Sequence, residues 1–535
     1  MKPVLLQIYD YSQMFDSIDL ELALNDLYDV GVNDDTLALL HQANKDVHMA
    51  VKTPSGLTDR QVIKNSVLQG DTFGSIMASV QVDSIGKECV KEGHTYLYKN
   101  ELPVGFLGLV DDIIGVTEAG INAQKMNAFI NIKTAEKTLQ FGASKCKSML
   151  VGKSAQNTIN SDLLVDKWTV KYEENVLTGE GELVEIYSGL TKIEKTSEQK
   201  YLGFVLSSTG DNMANIRELK NKSIGVVRST MNKLNGLSLK CYYFECAVIL
   251  INVMVRGSVL YASEMYYNLK EIELRQIERI EEGFLRQVFK TTKGCPLTQL
   301  YLSIGEKPAR FEIQKRRLLF MKKILHEDDE SLINKFFKLQ LKSPSRGDWA
   351  SLCLKDLKEL RISESMEEIK LMSQSQFKKL VKARVTENAF NYLIKKQGSK
   401  GKENKCEDLS MAEYLHPTNK AISISEKQQL FAMKNRMTNI PANFPKPNIK
   451  PKCFCNEDED MAHIYNCVVL NNGKTTEIEY EKIYNGTLSE QIVILRIFEK
   501  NIERREQLMN EKQSEDKLPC DPFVIHCSQF STVMD

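Results

Sequence analysis

The sequence predicts an α+β chain: a mixed front built on hairpins and packed helices, a mostly helical region after it, and a small metal-binding region near the C-terminus. Three observations carry this expectation. Strand-like apolar runs alternate with amphipathic stretches up to about residue 205. From about 212 to 435 the apolar residues recur at helical spacing, and three cysteines and a histidine gather between 453 and 467.

Taken in order, Val4 to Tyr9 is an apolar strand that runs straight into Asp10. A helix follows, with Leu20, Leu24 and Leu27 on one face and Gly31 as its stop. Val47 to Val51, the turn Thr53-Pro54-Ser55-Gly56 and Leu57 form a hairpin. Apolar runs flank Asp111-Asp112, from Phe106 to Val110 and from Ile113 to Val116, and read as a second hairpin with the acids at its tip. Trp168, Val170, Tyr172, Val184, Ile186 and Leu202 mark further strands. In the helical region Ile277, Ile280, Phe284 and Val288 form a core stripe. Lysine-rich residues 395–402 read as an exposed loop, Pro441 to Pro447 as a semi-rigid linker, and about 486–512 as a last polar helix.

A chain of 535 residues suggests about three folding units. Its most apolar run, Ala247 to Val255 with Asn252 inside, is far short of the roughly 20 residues of a membrane span. The start, Met1-Lys2-Pro3-Val4-Leu5, lacks a signal-peptide layout, and the 12 cysteines are too scattered for a disulfide scaffold. The chain therefore reads as intracellular, in nucleus or cytoplasm. Its 71 basic and 71 acidic side chains cancel, but unevenly. Residues 1–50 hold nine acids against two bases, whereas residues 301–350 hold eleven bases against seven acids, including the run Lys315-Arg316-Arg317. A polyanion partner is compatible with this pattern if the bases share a face; solvated helix faces with no partner explain it equally well.

Two acidic elements can carry chemistry: Asp10 at the end of a buried strand, and the adjacent pair Asp111-Asp112. Adjacent carboxylates are poor core residues, because an unpaired buried charge costs several kcal/mol. A hard divalent cation such as Mg²⁺ removes that cost. If the two strands pair, Asp10 and Asp111 converge on one metal pair, suited to in-line displacement at phosphorus. A simple turn pair is the plainer alternative for Asp111-Asp112.

The ordered motifs around these acids resemble the reverse transcriptases of LINE-type (non-LTR) retrotransposons. Residues 9–16, YDYSQMFD, are similar to the family's first palm motif, and residues 68–75, LQGDTFGS, to its second. Leu109-Val110-Asp111-Asp112 resembles the third, where the family more often has an aromatic or alanine before the pair. Residues 141–147, FGASKCK, resemble the fourth, and Tyr201-Leu202-Gly203 the fifth, which grips the primer. The resemblance covers 1–210 most fully, then 211–345, and is thin from 350 to 440.

What it implies is an RNA-directed DNA polymerase with a palm of antiparallel sheet and packed helices, a helical thumb and a zinc-binding C-terminal region. Asp10 and Asp111 would hold two Mg²⁺ ions, with Asp112 in support. Phe15 would lie beneath the incoming sugar and select deoxynucleotides, although an ordinary core phenylalanine fits the position too. Gln69 and Gly70 would lie against template and nucleotide. Lys145 is the candidate general acid for the leaving pyrophosphate, with Lys147 its rival. Tyr201, Leu202, Gly203, Lys315, Arg316 and Arg317 would contact nucleic acid. RNA template, DNA primer and dNTPs are the implied partners. The implied divisions are palm 1–210, thumb 211–345, helical extension and basic linker 346–440, zinc motif 441–475, and C-terminal helix and tail 476–535. Family members carry fingers before the first palm motif; here only one strand precedes Asp10, so the sequence reads as an N-terminally truncated member. An inactive remnant that binds RNA or DNA is the alternative.

Cys453-Phe454-Cys455, His463 and Cys467 make a C-x-C-x7-H-x3-C arrangement. Three thiolates and one imidazole suit tetrahedral, structural Zn²⁺. The family carries a C-terminal CCHC motif that helps bind nucleic acid, with spacing commonly somewhat wider than this. Lys446, Lys450 and Lys452 lie close enough in sequence to touch phosphates.

Overall fold

The computed structural model describes residues 4–45, 47–62, 73–118, 121–151, 164–174, 181–237, 242–291, 295–345, 347–397, 408–419, 422–435, 452–474 and 476–516. They divide into two compact units. The first comprises residues up to 218 with 266–269 and 327–351; the second comprises 219–265, 270–326 and the chain from 352 onward. Gln69 and Gly70, the proline-rich linker with Lys446 and Lys450, and residues 398–402 of the lysine-rich stretch lie outside the described residues.

In the first unit, β1 (Val4–Asp10), β2 (Phe106–Leu109), β3 (Asp112–Glu118), β4 (Lys147–Val151) and β5 (Glu194–Lys195) form a five-stranded sheet in the order β5-β4-β1-β3-β2. Every pairing is antiparallel except β4 with β5. β1 is mostly apolar, with Gln7 its one polar residue before Asp10, because it is central and both its faces are covered. Alternate residues of a strand point to opposite faces. Leu5, Tyr9 and Ile113 therefore pack beneath helices α1 (Leu20–Asp29), α2 (Gly74–Lys91) and α3 (Ile121–Glu136), in a core with Leu24, Met77, Val82 and Met126. Ile8, Ile114, Val116 and Met149 make a second cluster on the other face, with Tyr201 and Leu206 against it. The buried polar groups of β1 find partners on α3. The Tyr9 hydroxyl donates to Asn127 Oδ1 at 2.8 Å, and Gln7 Nε2 donates to the Ala123 carbonyl at 3.0 Å.

Local chemistry accounts for the element ends. Asp19 caps α1 by accepting from the Leu22 amide at 3.1 Å, and the chain leaves the helix through Gly31 at φ 94°. Lys52 pairs with Leu57 around Pro54-Ser55 as the hairpin pattern predicts. The strands expected after 165 form a hairpin of Leu164–Glu174 with Gly181–Lys192. Gly347 has φ 104°, and a Cβ there would fall 2.1 Å from the Tyr267 hydroxyl, so only glycine fits.

The second unit is helical, and its helices include α4 (Glu271–Phe289), α5 (Leu297–Ile304), α6 (Ala309–His326), α7 (Met366–Leu371), α8 (Gln374–Gln397), α9 (Ile424–Lys434), α10 (Met461–Asn466) and α11 (Leu488–Asp516). The predicted stripe Ile277, Ile280, Phe284 and Val288 is buried. Lys395 and Lys396, expected in a loop, still belong to α8. Beside the α4 stripe, Arg256 is fully buried and pairs with Glu281 at 2.7 Å and Glu306 at 2.6 Å. Burial alone would push the guanidinium pKa down, but the two carboxylates more than offset it and hold it above its ordinary value. Arg256→Met is expected to destabilise the chain by about 3–5 kcal/mol, because it strands buried carboxylates. Chemical denaturation of the variant against wild type checks this. Among the described residues, no helix is long and apolar enough to cross a membrane.

Candidate active site and metal centre

The register of the central strands builds the acidic site. Asp10, last in β1, lies directly across from Asp112, first in β3. Opposed residues of an antiparallel pair project to the same face, with Cβ atoms about 4.5–5.5 Å apart. Asp111 sits beside them, in the two-residue turn between Leu109 and Asp112. The expected hairpin is thus present, but Asp112 rather than Asp111 is the register partner of Asp10. Val110, first in that turn, has φ 57°. A left-handed conformation is uncommon for a β-branched residue and is held only where the surroundings enforce it. Here the Val110 side chain packs against the helix-covered core, which anchors the turn that carries Asp111.

A second segment supports Asp10 from its other side. The Gly142 amide donates to the Asp10 carbonyl at 2.8 Å, the Ser12 amide to the Gln140 carbonyl at 2.8 Å, and Tyr11 bridges to Phe141. Phe141 stacks on both Tyr9 and Tyr11, with centroids 4.8 Å apart in each case. Asp10 is therefore flanked by two clamped aromatic residues. Phe141 carries no role in the motif pattern by itself; an aromatic before Gly142, opposite a strand ending Tyr-Asp-Tyr, is the sequence signal for it.

Charge is concentrated here. Burial, with Asp111 and Asp10 nearby, pushes the Asp112 carboxyl pKa up. Lys145 Nζ lies 2.9 Å from Asp10 Oδ1, its side chain largely exposed. That hydrogen bond and the charge of Asp10, with a smaller contribution from Asp111, push the lysine pKa up. The three carboxylates and Lys145 thus share one site. A carboxyl whose pKa is raised by burial and by neighbouring carboxylates marks concentrated negative charge, and oxygen ligands on one rigid strand and an anchored turn fit Mg²⁺. Lys147, the alternative acid, instead pairs with Glu194 and donates to the Ser144 carbonyl at 3.0 Å.

The remaining predicted contacts have definite places. Phe15 is half-buried and packs on the main core. Tyr201 packs in the second cluster, and its hydroxyl donates to the Asp112 carbonyl at 3.3 Å. Leu202 and Gly203 form the turn after it, with φ 47° and 81°. The basic run of α6 is not one exposed face. Arg317 is buried and pairs with Asp356 at 2.6 Å, Lys315 pairs with Glu312 at 2.6 Å, and Arg316 donates to the Leu260 carbonyl at 2.6 Å. Helical period explains the difference: three consecutive residues span most of a turn, and one of them must face inward. Lys322, further along α6, is fully buried and caps α7 through the carbonyls of Ile369, Lys370 and Met372.

In the second unit, Cys453, Cys455, His463 and Cys467 place their ligand atoms within 4.8 Å of one another. Cys453 Sγ and Cys467 Sγ are 3.5 Å apart, Cys467 Sγ and Cys455 Sγ 3.8 Å, and Cys455 Sγ and His463 Nε2 3.1 Å. Tetrahedral zinc with Zn–S near 2.3 Å has edges of roughly 3.5–3.8 Å; the two sulfur–sulfur separations match this, the Cys455–His463 separation is shorter, and the donor set of three thiols and one imidazole suits the ion. The Asp458–Lys452 pair at 2.6 Å closes the acidic loop, and Asp460 caps α10 at the His463 amide, 2.7 Å away. Without a cation, burial and the adjacent thiols push the Cys453 thiol up to about 12.

No protein-family model matches the chain, and no curated protein sequence does either. Among solved structures, telomerase from Candida tropicalis in complex with the TWJ fragment of telomeric RNA is similar at 12% identity and TM-score 0.27, over 60% of this chain and 47% of that one. Telomerase from Candida albicans, in the corresponding complex, is similar at 13% identity and TM-score 0.27, over 70% of this chain and 50% of that one. The chain thus spans about half the length of these structures, and likeness at that level assigns neither a fold nor a function to it.

Proposed function

We propose that the chain carries the nucleotidyl-transfer site of an RNA-directed DNA polymerase of the non-LTR retrotransposon type. The observation that carries this reading is the convergence of Asp10, Asp111 and Asp112 at one end of two antiparallel, interior strands of the sheet, in the motif order of that family. The 3′-hydroxyl oxygen of a primer would attack the α-phosphorus of a dNTP, forming a phosphodiester and releasing pyrophosphate. Two Mg²⁺ ions bound at this end would neutralise the charge that develops on the attacking and leaving oxygens. Asp10 and Asp111 would hold the ions from a fixed strand end and an anchored turn, with Asp112 behind them. Lys145, protonated at neutral pH and already directed at Asp10, would deliver a proton to the leaving pyrophosphate. Phe15 would bound the sugar pocket, and the hairpin tip at Leu202-Gly203 would meet the primer. The zinc centre would add a second nucleic-acid contact.

Lys145→Met is expected to lower the maximal extension rate by about 10²-fold. It should also lower the Mg²⁺ concentration needed, because it removes the ammonium that competes for Asp10. A Mg²⁺ titration of rate measures both effects. The reading as a whole is tested by incubating the purified chain with a DNA primer annealed to an RNA template, dNTPs and Mg²⁺. Template-directed extension is expected. RNA binding without extension would replace the polymerase with a nucleic-acid-binding protein.

A further inference from the structure

The acidic part of the loop carrying the cysteine–histidine quartet, Glu457 to Asp460, has no apolar residue, and α11 supplies much of what holds the loop in place. Glu459, between ligands Cys455 and His463, is only 3% exposed, and its Oε2 accepts from Arg505 Nε at 2.8 Å. Asn501, fully buried, donates from Nδ2 to the carbonyls of Ile464 at 2.8 Å and Tyr465 at 3.1 Å. Those are two of the three residues between His463 and Cys467. Their carbonyls belong to the end of a six-residue helix, where no further turn exists to satisfy them. Asn501 and Arg505 are four residues apart and so lie on one face of α11. One side chain holds the loop before His463, the other the helix end after it. The same face buries Ile494 and Phe498, so α11 is docked rather than solvated, contrary to its reading as a plain polar helix.

We infer that Asn501 and Arg505 are positioning residues of the metal centre, so that zinc retention and docking of α11 are a single coupled event. This rests on the reading of the quartet as a zinc site. Neither residue is a ligand, and each acts by fixing the backbone on which ligands sit. Partners of this outer kind are worth 10–100-fold in metal affinity where they have been removed. The structural reason is that an untethered loop must spend binding energy ordering itself around the ion.

The test uses the full chain. Zinc content is measured by mass spectrometry, and affinity by competition with a chromogenic chelator. Asn501→Ala and Arg505→Gln are expected to bind zinc about 10–100-fold more weakly than wild type, with Arg505→Lys intermediate and the exposed-site control Glu506→Gln unchanged. A second measurement covers variants that fold poorly: in wild type, chelation should accelerate hydrogen exchange of the amides around 494–505. Variants that hold zinc as tightly as wild type, or exchange that is indifferent to chelation, would overturn the inference while leaving the zinc site standing. A wild-type chain that binds no zinc would instead overturn the site itself, and the inference with it.

Discussion

Asp111→Asn is expected to abolish Mg²⁺-dependent primer extension, by about 10³-fold or more, with the fold intact. The amide keeps the size and turn position of the carboxylate but removes a negative charge from the strand ends where Asp10 and Asp112 face each other. Stability should move the other way. Burial, Asp111 and Asp10 hold the Asp112 pKa above its ordinary value in the folded chain. A folded-state acid with a raised pKa binds more protons than in the unfolded chain, so its contribution to stability declines as pH rises from the ordinary carboxylate pKa through the raised one. Removing Asp111 lessens that decline. In the absence of metal, the variant should therefore melt no lower than wild type above that window, and added Mg²⁺ should raise the melting temperature of wild type more than that of the variant. Thermal melts across pH, with and without Mg²⁺, check the sign. Extension by the variant at wild-type rate would remove Asp111 from the chemistry.

Cys453→Ser combined with Cys467→Ser should empty the zinc centre. The serine hydroxyls stay protonated at neutral pH and offer the ion no thiolate. Structural zinc contributes an apparent 10–16 kcal/mol or so in small zinc-finger peptides, so the short segment around α10 should lose its order. Asp10, Asp111 and Asp112 belong to the other compact unit, and the heat-induced transition of that unit should persist. The expected readout is zinc content near zero, with protease cleavage appearing between 452 and 474. Binding is also proton-linked: burial holds the Cys453 thiol up at about 12 in the metal-free chain, so the ion must displace protons, and zinc affinity should fall as pH falls. Undiminished zinc content in the double variant would refute the ligand assignment.

Features governed by short-range pattern were legible in the sequence. β1 reads as a buried strand because the run Val4 to Tyr9 is apolar apart from Gln7, and the hairpin around Asp111 reads from the apolar runs that flank it. The α4 stripe and the cysteine–histidine spacing follow the same local rules. What could not be read lies in long-range pairing. Arg317 looks like a surface cation beside Lys315 and Arg316 until Asp356, 39 residues away, is seen to receive it in the interior. Arg256 appears as one charge after an apolar run, yet Glu281 and Glu306 make it a core residue. Lys145 presents itself as an acid for a leaving group, and its standing partner is Asp10, 135 residues earlier. α11 reads as polar from its charged second half, yet its buried face continues from Ile494 and Phe498 to Asn501. Each of these is a polar residue whose place depends on a partner distant in sequence, which periodicity alone does not reveal.

The central claim is that Asp10, Asp111 and Asp112 form a divalent-cation site. Titration of the purified chain with Mn²⁺ as a spectroscopic substitute for Mg²⁺, following free ion by electron paramagnetic resonance, tests it without requiring turnover. Wild type is expected to bind Mn²⁺ in competition with Mg²⁺, and Asp10→Asn and Asp111→Asn to lose that binding while retaining zinc. Mn²⁺ binding unchanged in both variants would contradict the account.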